Sequence, residues 1–188
     1  MTECIGLGGG CHWCTEAVFE SLRGVTRVDQ GWLAPASDKD SFSEGVLIDF
    51  KPDLIDLFTL VAIHLHTHSC TSNHVLRGRY RSALYVHSAA QARLAANAIA
   101  QLQQTDFDLP IITQVCRLGA FRRNEERYLH YAQRHAGQPF CERFISPKLA
   151  LLRERFEAHA LPNVDQAAGY GGAKAKVPAR SSGPTSTP

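Results

Sequence analysis

Apolar and polar positions along the first 160 residues change period repeatedly, and each change marks an element. Cys4 to Leu7 is a short apolar run that enters Gly8-Gly9-Gly10, and Cys14, Val18 and Leu22 then fall on one helical face. Thr26 to Leu33 and Gly45 to Phe50 alternate or run apolar as strands do, separated by the Pro-, Ser-, Asp- and Lys-containing loop Ala34 to Ser43. Asp53 is read as the cap of a helix reaching about His64, Arg81 to Val86 as a strand, and the Ala-, Leu- and Gln-rich Ala89 to Gln104 as a helix on propensity. Pro110 to Arg117 reads as another strand and Asn124 to Arg134 as a helix with glutamate in its first turn. Ser146-Pro147 opens a last helix running to about Ala158. Strands interspersed with helices predict an α/β (α+β) domain, two layers with helices packed on a mixed sheet.

Composition bounds what such a domain does. At 188 residues and 44% hydrophobic the chain has enough apolar side chains for one core without disulfides. One domain is expected over residues 1–160, and the Gly-, Ala-, Ser-, Pro- and Lys-dominated remainder, 161–188, reads as a disordered tail. Twenty Lys+Arg against 18 Asp+Glu leave a formal net charge of +2, which offers no attraction for nucleic acid or a membrane surface. The longest apolar run, Leu54 to Leu65, is interrupted by Asp56 and His64, so a cytoplasmic protein is expected, and a monomer. Six cysteines in that compartment are thiols for chemistry, metal or packing rather than a disulfide framework.

Three groups of residues are candidates for chemistry. Cys11 is expected in the first turn of the first helix, where unpaired backbone N–H groups and the dipole favour a thiolate, and Cys14 completes a C-x-x-C. His64, His66, His68 and Cys70, with His74 nearby, share one face only on an extended backbone; exposed loop histidines are expected, with zinc or copper binding as the alternative. Glu44, leading into the apolar strand Val46 to Phe50, is placed to be desolvated and kept protonated as a proton donor near neutral pH. Two nucleotide signatures fail: the glycines lack the G-x-G-x-x-G spacing, and no Gly-Lys-Ser/Thr follows them.

Gly9-Gly10-Cys11-His12-Trp13 resembles the glycine pair and Cys-Phe-Trp signature of A-type peptide methionine sulfoxide reductases. Tyr80-Arg81-Ser82-Ala83-Leu84-Tyr85 is similar to that family's Tyr-Arg-Ser-Ala-Ile-Tyr. Glu44-Gly45, Asp49 to Pro52, Ile112-Thr113, Phe121, Glu125, Phe140-Cys141 and Ile145 to Leu149 fit the same pattern, so the likeness covers roughly Cys4 to Phe156. The resemblance implies a ferredoxin-like mixed α/β fold and thiol-dependent reduction of methionine S-sulfoxide, free or in proteins. Cys11 is then the attacking thiolate, Glu44 the neutral acid that protonates the departing oxygen, and Tyr80 a hydroxyl hydrogen-bonded to it; Trp13, with His12 beside it, packs on the S-methyl group.

The implied product on Cys11 is a sulfenic acid, captured by a second thiol as a disulfide and reduced by a thioredoxin-type donor, with no metal or organic cofactor. Cys141, after the Gly- and Pro-containing His135 to Pro139, is the preferred capturing thiol, and Cys14, tied into a helix, is the alternative. The chain departs from the family at His12, where Phe is usual, and at Val75, where Asp is usual, and it lacks the loop tyrosine between Trp32 and Glu44. A divergent reductase is expected; the alternatives are a weakened relative that binds or senses oxidised sulfur groups, and a His/Cys metal-binding protein.

Overall fold

The computed structural model describes residues 1–162; the tail expected from residue 161 lies almost entirely outside them. Five strands make one mixed sheet: β1 (Glu3–Gly8), β2 (Val25–Pro35), β3 (Ser43–Phe50), β4 (Ala83–Val86) and β5 (Gln114–Arg123). Their order is β1-β3-β2-β5-β4, and β4 pairs back onto β1, so the sheet closes into a small barrel. Only the β4–β5 pair is parallel. The mixed sheet with packed helices is the class the periodicity indicates; its closure is a property of pairing between distant strands that no local pattern encodes.

Alternation along the strands separates two apolar clusters. Ile5 and Leu7, Val46, Ile48 and Phe50, and Leu84 and Val86 face the helices. Leu33, Leu47, Ala83 and Tyr85 fill the barrel interior, with Cys4, Cys116, Leu118 and Phe121 against them. The interior is small enough to require glycine, since a Cβ on Gly6 would lie 2.8 Å from Leu33 and 2.9 Å from the Tyr85 Cβ.

Helices α1 (His12–Glu20), α2 (Leu57–Thr67), α3 (Ala89–Thr105), α4 (Tyr131–Arg134) and α5 (Ser146–Arg155) surround the barrel. The cap of α2 is Asp56 rather than Asp53: its carboxylate accepts from the Thr59 N–H at 2.7 Å, an interaction worth about 1 kcal/mol. Ser88 caps α3 in the same manner through the Gln91 N–H. Three expected boundaries shift. β5 starts at Gln114 and runs to Arg123, α5 ends at Arg155 before a separate 3-10 turn, and the expected Asn124 to Arg134 helix is broken. Glu126–Tyr128 forms a 3-10 turn, His130 takes a left-handed φ of 54°, and only Tyr131–Arg134 is α-helical. The break serves side-chain contacts: Leu129 is buried and His130 reaches Glu20.

Candidate active site

Gly9 and Gly10 carry the chain from β1 to α1, and Cys11 is the N-cap of that helix. Neither glycine has a positive φ among the described residues; Gly9 is needed for close approach, because a Cβ there would meet the His68 ring at 2.4 Å. Cys11 has φ −57° and ψ 129°, so it stands just outside the helix rather than in its first turn. Its carbonyl accepts from the Cys14 and Thr15 N–H groups, which open the helix.

The Cys11 thiol is held below its ordinary range. The Cys14 thiol donates to it, and the backbone N–H groups of Trp13 and Cys14 add to that, against burial and the nearby Glu44 charge. Cys14 is correspondingly pushed up by holding its proton toward Cys11 and by burial. Of the two thiols, Cys11 is the one eased toward its thiolate and Cys14 the one that keeps its proton.

Both sulfurs line a cavity of about 260 Å³ between α1, α2 and α5, together with Val18, Tyr80, Phe140 and Phe144. His64, His68 and Lys148 supply its polar wall. These histidines are not exposed loop residues. α2 continues to Thr67, which puts His64 and His68 one turn apart with rings stacked at 4.2 Å and sends His66 elsewhere, to Asp106. His64 donates from Nε2 to the Gly8 carbonyl at 2.9 Å. His68 donates from Nδ1 to the His64 carbonyl and takes the Ser82 hydroxyl on Nε2 at 2.8 Å. Burial keeps both uncharged, His68 lowered to about 4. The four-residue His/Cys cluster thus does not converge on a metal. Among the described residues, only Glu16, Glu20 and His130 bring three potential ligand atoms within 4.8 Å of one another, and His130 Nδ1 already sits 2.6 Å from Glu20. Lys148 donates to the Thr67 carbonyl; burial lowers its pKa, and the Cys14 and Cys11 charges oppose that.

Glu44 stands at the start of β3, 1% exposed, on the other side of Cys11. Its Oε1 accepts from Arg79 Nε at 2.6 Å, and its Oε2 from the His12 backbone N–H at 3.2 Å. An acid role for Glu44 is therefore played beside a guanidinium. The His12 ring is buried between two indoles, with centroids 6.0 Å from Trp13 and 5.8 Å from Trp32. His12 Nδ1 is 3.2 Å from Glu44 Oε2 but not aligned for a hydrogen bond, while Nε2 accepts from Asn124 at 3.3 Å. Burial lowers the His12 pKa, so the ring is neutral.

Asn124 also donates to Gln30 Oε1 at 2.8 Å, and Gln30 Nε2 donates to Glu16 Oε2 at 2.7 Å. One hydrogen-bonded chain thus runs from beside Glu44 to a second buried carboxyl.

Tyr80 is half-buried at the cavity wall, and burial followed by the Glu44 charge pushes its hydroxyl up. Arg77 fixes this segment, donating from Nη1 to the carbonyls of Gly9 and Tyr80 at 3.1 and 3.0 Å. Trp13 does not line the cavity: its indole stacks on Tyr131 at 3.9 Å and meets Phe140 edge-on at 5.5 Å. Cys141 is also absent from the cavity wall. It is 6% exposed in the helical turn Cys141–Ile145, close enough to Cys14 for its charge to raise that thiol. Sequence reasoning missed Arg79, Arg77, Asn124, Gln30 and Glu16. Only Arg79, next to Tyr80, gave a signal in the form of a cation flanking the motif.

Residues 3–160 match the family described as peptide methionine sulfoxide reductase. The chain belongs to that family. It is 36% identical over 172 residues to the peptide methionine sulfoxide reductase MsrA of Chromobacterium violaceum, covering 84% of this chain and 97% of that one. The MsrA of Deinococcus radiodurans is 34% identical over 163 residues, covering 79% of each. Among solved structures, the reduced form of Mxr1 from Saccharomyces cerevisiae superposes with a TM-score of 0.64 at 22% identity, covering 73% of this chain and 88% of that one. Methionine sulfoxide reductase A of Corynebacterium diphtheriae gives 0.58 at 22% identity, covering 73% of this chain and 78% of that one. These likenesses agree with the mixed α/β fold. Mxr1 has also been solved in complex with Trx2. No helix among the described residues is long and apolar enough to cross a membrane.

Proposed function

We infer that this chain reduces methionine S-sulfoxide to methionine with its own thiols, as a repair enzyme for oxidised methionine. The observation that carries the reading is Cys11, its pKa lowered, lining a cavity together with Tyr80, and close enough to the buried Glu44 to feel its charge. The Cys11 Sγ attacks the sulfoxide sulfur, Glu44 delivers the proton to the oxygen, and Tyr80 holds that oxygen through its hydroxyl. His12 and Trp13, which follow Cys11 in the chain but do not line the cavity, are assigned to the S-methyl group on the Glu44 side of the thiol. Replacement of Cys11 by Ser is expected to reduce methionine release to background, because the hydroxyl is far less acidic than the thiol. Turnover by that variant above a few per cent of the parent, in a dithiothreitol-coupled assay, would remove Cys11 as the nucleophile.

The sulfenic acid is taken up by a second thiol, and the geometry supports Cys14. It faces Cys11 in the same cavity, and because Cys11 lies outside the helix the bridge does not require α1 to unwind. Cys141, the thiol favoured by the sequence, does not line the cavity but is near enough to Cys14 to act on it. The expected outcome after one equivalent of sulfoxide is a Cys11–Cys14 bridge in peptide mapping, with Cys14→Ser accumulating sulfenic acid that dimedone traps. The reductant is a thioredoxin-type dithiol in a reducing, cytoplasmic compartment, acting on a monomer. The cycle needs no cofactor, because Cys11 supplies the electron pair and the dithiol returns it.

A further inference from the structure

Among the described residues, Arg79 is the cation placed against Glu44, and it uses only part of its donor set there. Its Nε is on Glu44 Oε1 at 2.6 Å, while the described contacts give Nη1 and Nη2 no hydrogen-bond acceptor. The side chain is 59% exposed although its partner is 2% exposed, so the guanidinium covers the carboxylate from the solvent side. Its Cζ lies 6.0 Å from the Trp32 ring centroid and 5.4 Å from that of Tyr80, and it is near enough to Cys11 to respond to that charge. The fork is thus bounded by the carboxylate and two aromatic rings, within reach of the Cys11 charge. A planar guanidinium with two unused arms suits one strongly accepting oxygen.

We propose that Arg79 is a catalytic residue that binds the sulfoxide oxygen through its Nη groups while its Nε stays on Glu44. The proposal rests on the reductase reading above. As Cys11 Sγ gives its electron pair to the sulfoxide sulfur, negative charge grows on the oxygen and is met by fixed N–H donors. The S–O bond of the substrate and the transient bond between the two sulfurs both break, and the substrate sulfur leaves as the thioether, reduced by two electrons. The oxygen passes to Cys11 Sγ, oxidised by two electrons, and with the proton delivered by Glu44 completes the sulfenic acid.

The test is steady-state reduction of a methionine S-sulfoxide peptide with dithiothreitol, for the parent, Arg79→Lys and Arg79→Ala, with and without added ethylguanidinium. The side chain is exposed, so the variants fold. Expected is a fall in kcat of about a hundredfold for Arg79→Ala with KM little changed, since the charge appears only in the transition state. Partial activity in Arg79→Lys and recovery of Arg79→Ala by ethylguanidinium, with no effect of that cation on the parent, complete the expected result. A kcat that is kept or raised in Arg79→Ala overturns the proposal and leaves Arg79 as a counter-ion of Glu44; so does a loss that neither lysine nor ethylguanidinium restores. A parent that releases no methionine overturns the reductase reading and this proposal with it.

Discussion

Glu44 and Glu16 are equally buried, each 1% exposed, and sit at the two ends of the chain through His12, Asn124 and Gln30. Their partners differ. Glu44 has a guanidinium at 2.6 Å and an N–H on its second oxygen. Glu16 has the Gln30 amide and the Tyr131 N–H, with Glu20 as a like charge nearby, and burial followed by Glu20 pushes it up to about 7. His130 pulls the other way but also bonds Glu20. Burial makes a carboxyl an acid near neutral pH only where no full cation accompanies it. The buried carboxyl at the far end of the chain, Glu16, is the one that burial and a like charge push up.

Substitutions at the two ends separate chemistry from stability. The largest effect is expected from Glu44→Gln, which keeps the shape but cannot deliver a proton. The kcat for methionine release should fall about a hundredfold at pH 7, within the range for loss of a general acid, with a smaller change in KM. Equal kcat in the two proteins would take Glu44 out of the reaction and leave it a partner for Arg79.

Glu16→Gln should leave kcat within about threefold and change stability instead. The folded pKa of Glu16 lies above its ordinary value of 4.5, so the folded state binds the extra proton between pH 4.5 and about 7. Its contribution is complete below pH 4.5 and is lost as pH rises through about 7. The parent's Tm should therefore decline across that window more steeply than that of Glu16→Gln. Parallel melting curves against pH would place the ionisation elsewhere, on the coupled Glu20–His130 pair.

The smallest effect belongs to the link between them. His12→Phe removes the Nε2 acceptor of Asn124 and leaves one N–H unpaired, a cost of about 1 kcal/mol seen as a slightly lower urea midpoint. It also removes a neutral ring nitrogen that lacks a hydrogen-bond partner, and improved turnover of the S-sulfoxide is expected in the more apolar pocket. Lower turnover would show that the Nδ1 at 3.2 Å from Glu44 acts in catalysis.

Local chemistry made much of this legible. The apolar run before the glycines indicated β1, the helix-forming composition of Ala89 to Gln104 indicated α3, and the motif residues Cys11 and Tyr80 come to one cavity with Glu44 near enough for its charge to act on both. What was hidden depended on contacts between distant parts of the chain. Nothing near Arg79 in sequence indicates that β3 brings Glu44 35 positions away to within 2.6 Å. The helical reading of Asn124 to Arg134 followed propensity, but tertiary contacts of Leu129 and His130 overrode it. The histidine reading failed at one boundary: three more residues of α2 turned an apparent loop cluster into two stacked, buried rings facing Gly8 and Ser82.

Closure of the sheet through the β1–β4 pairing has a consequence for how an oxidised protein is handled. Where β1 and β4 pair, over Gly6 to Gly8, an incoming extended segment finds no free row of backbone N–H and C=O groups to join as an added strand. A damaged polypeptide is therefore gripped by the side chain that enters the site rather than by its main chain. That makes recognition largely indifferent to the surrounding sequence, and it keeps an enzyme that meets partly unfolded clients from templating their aggregation.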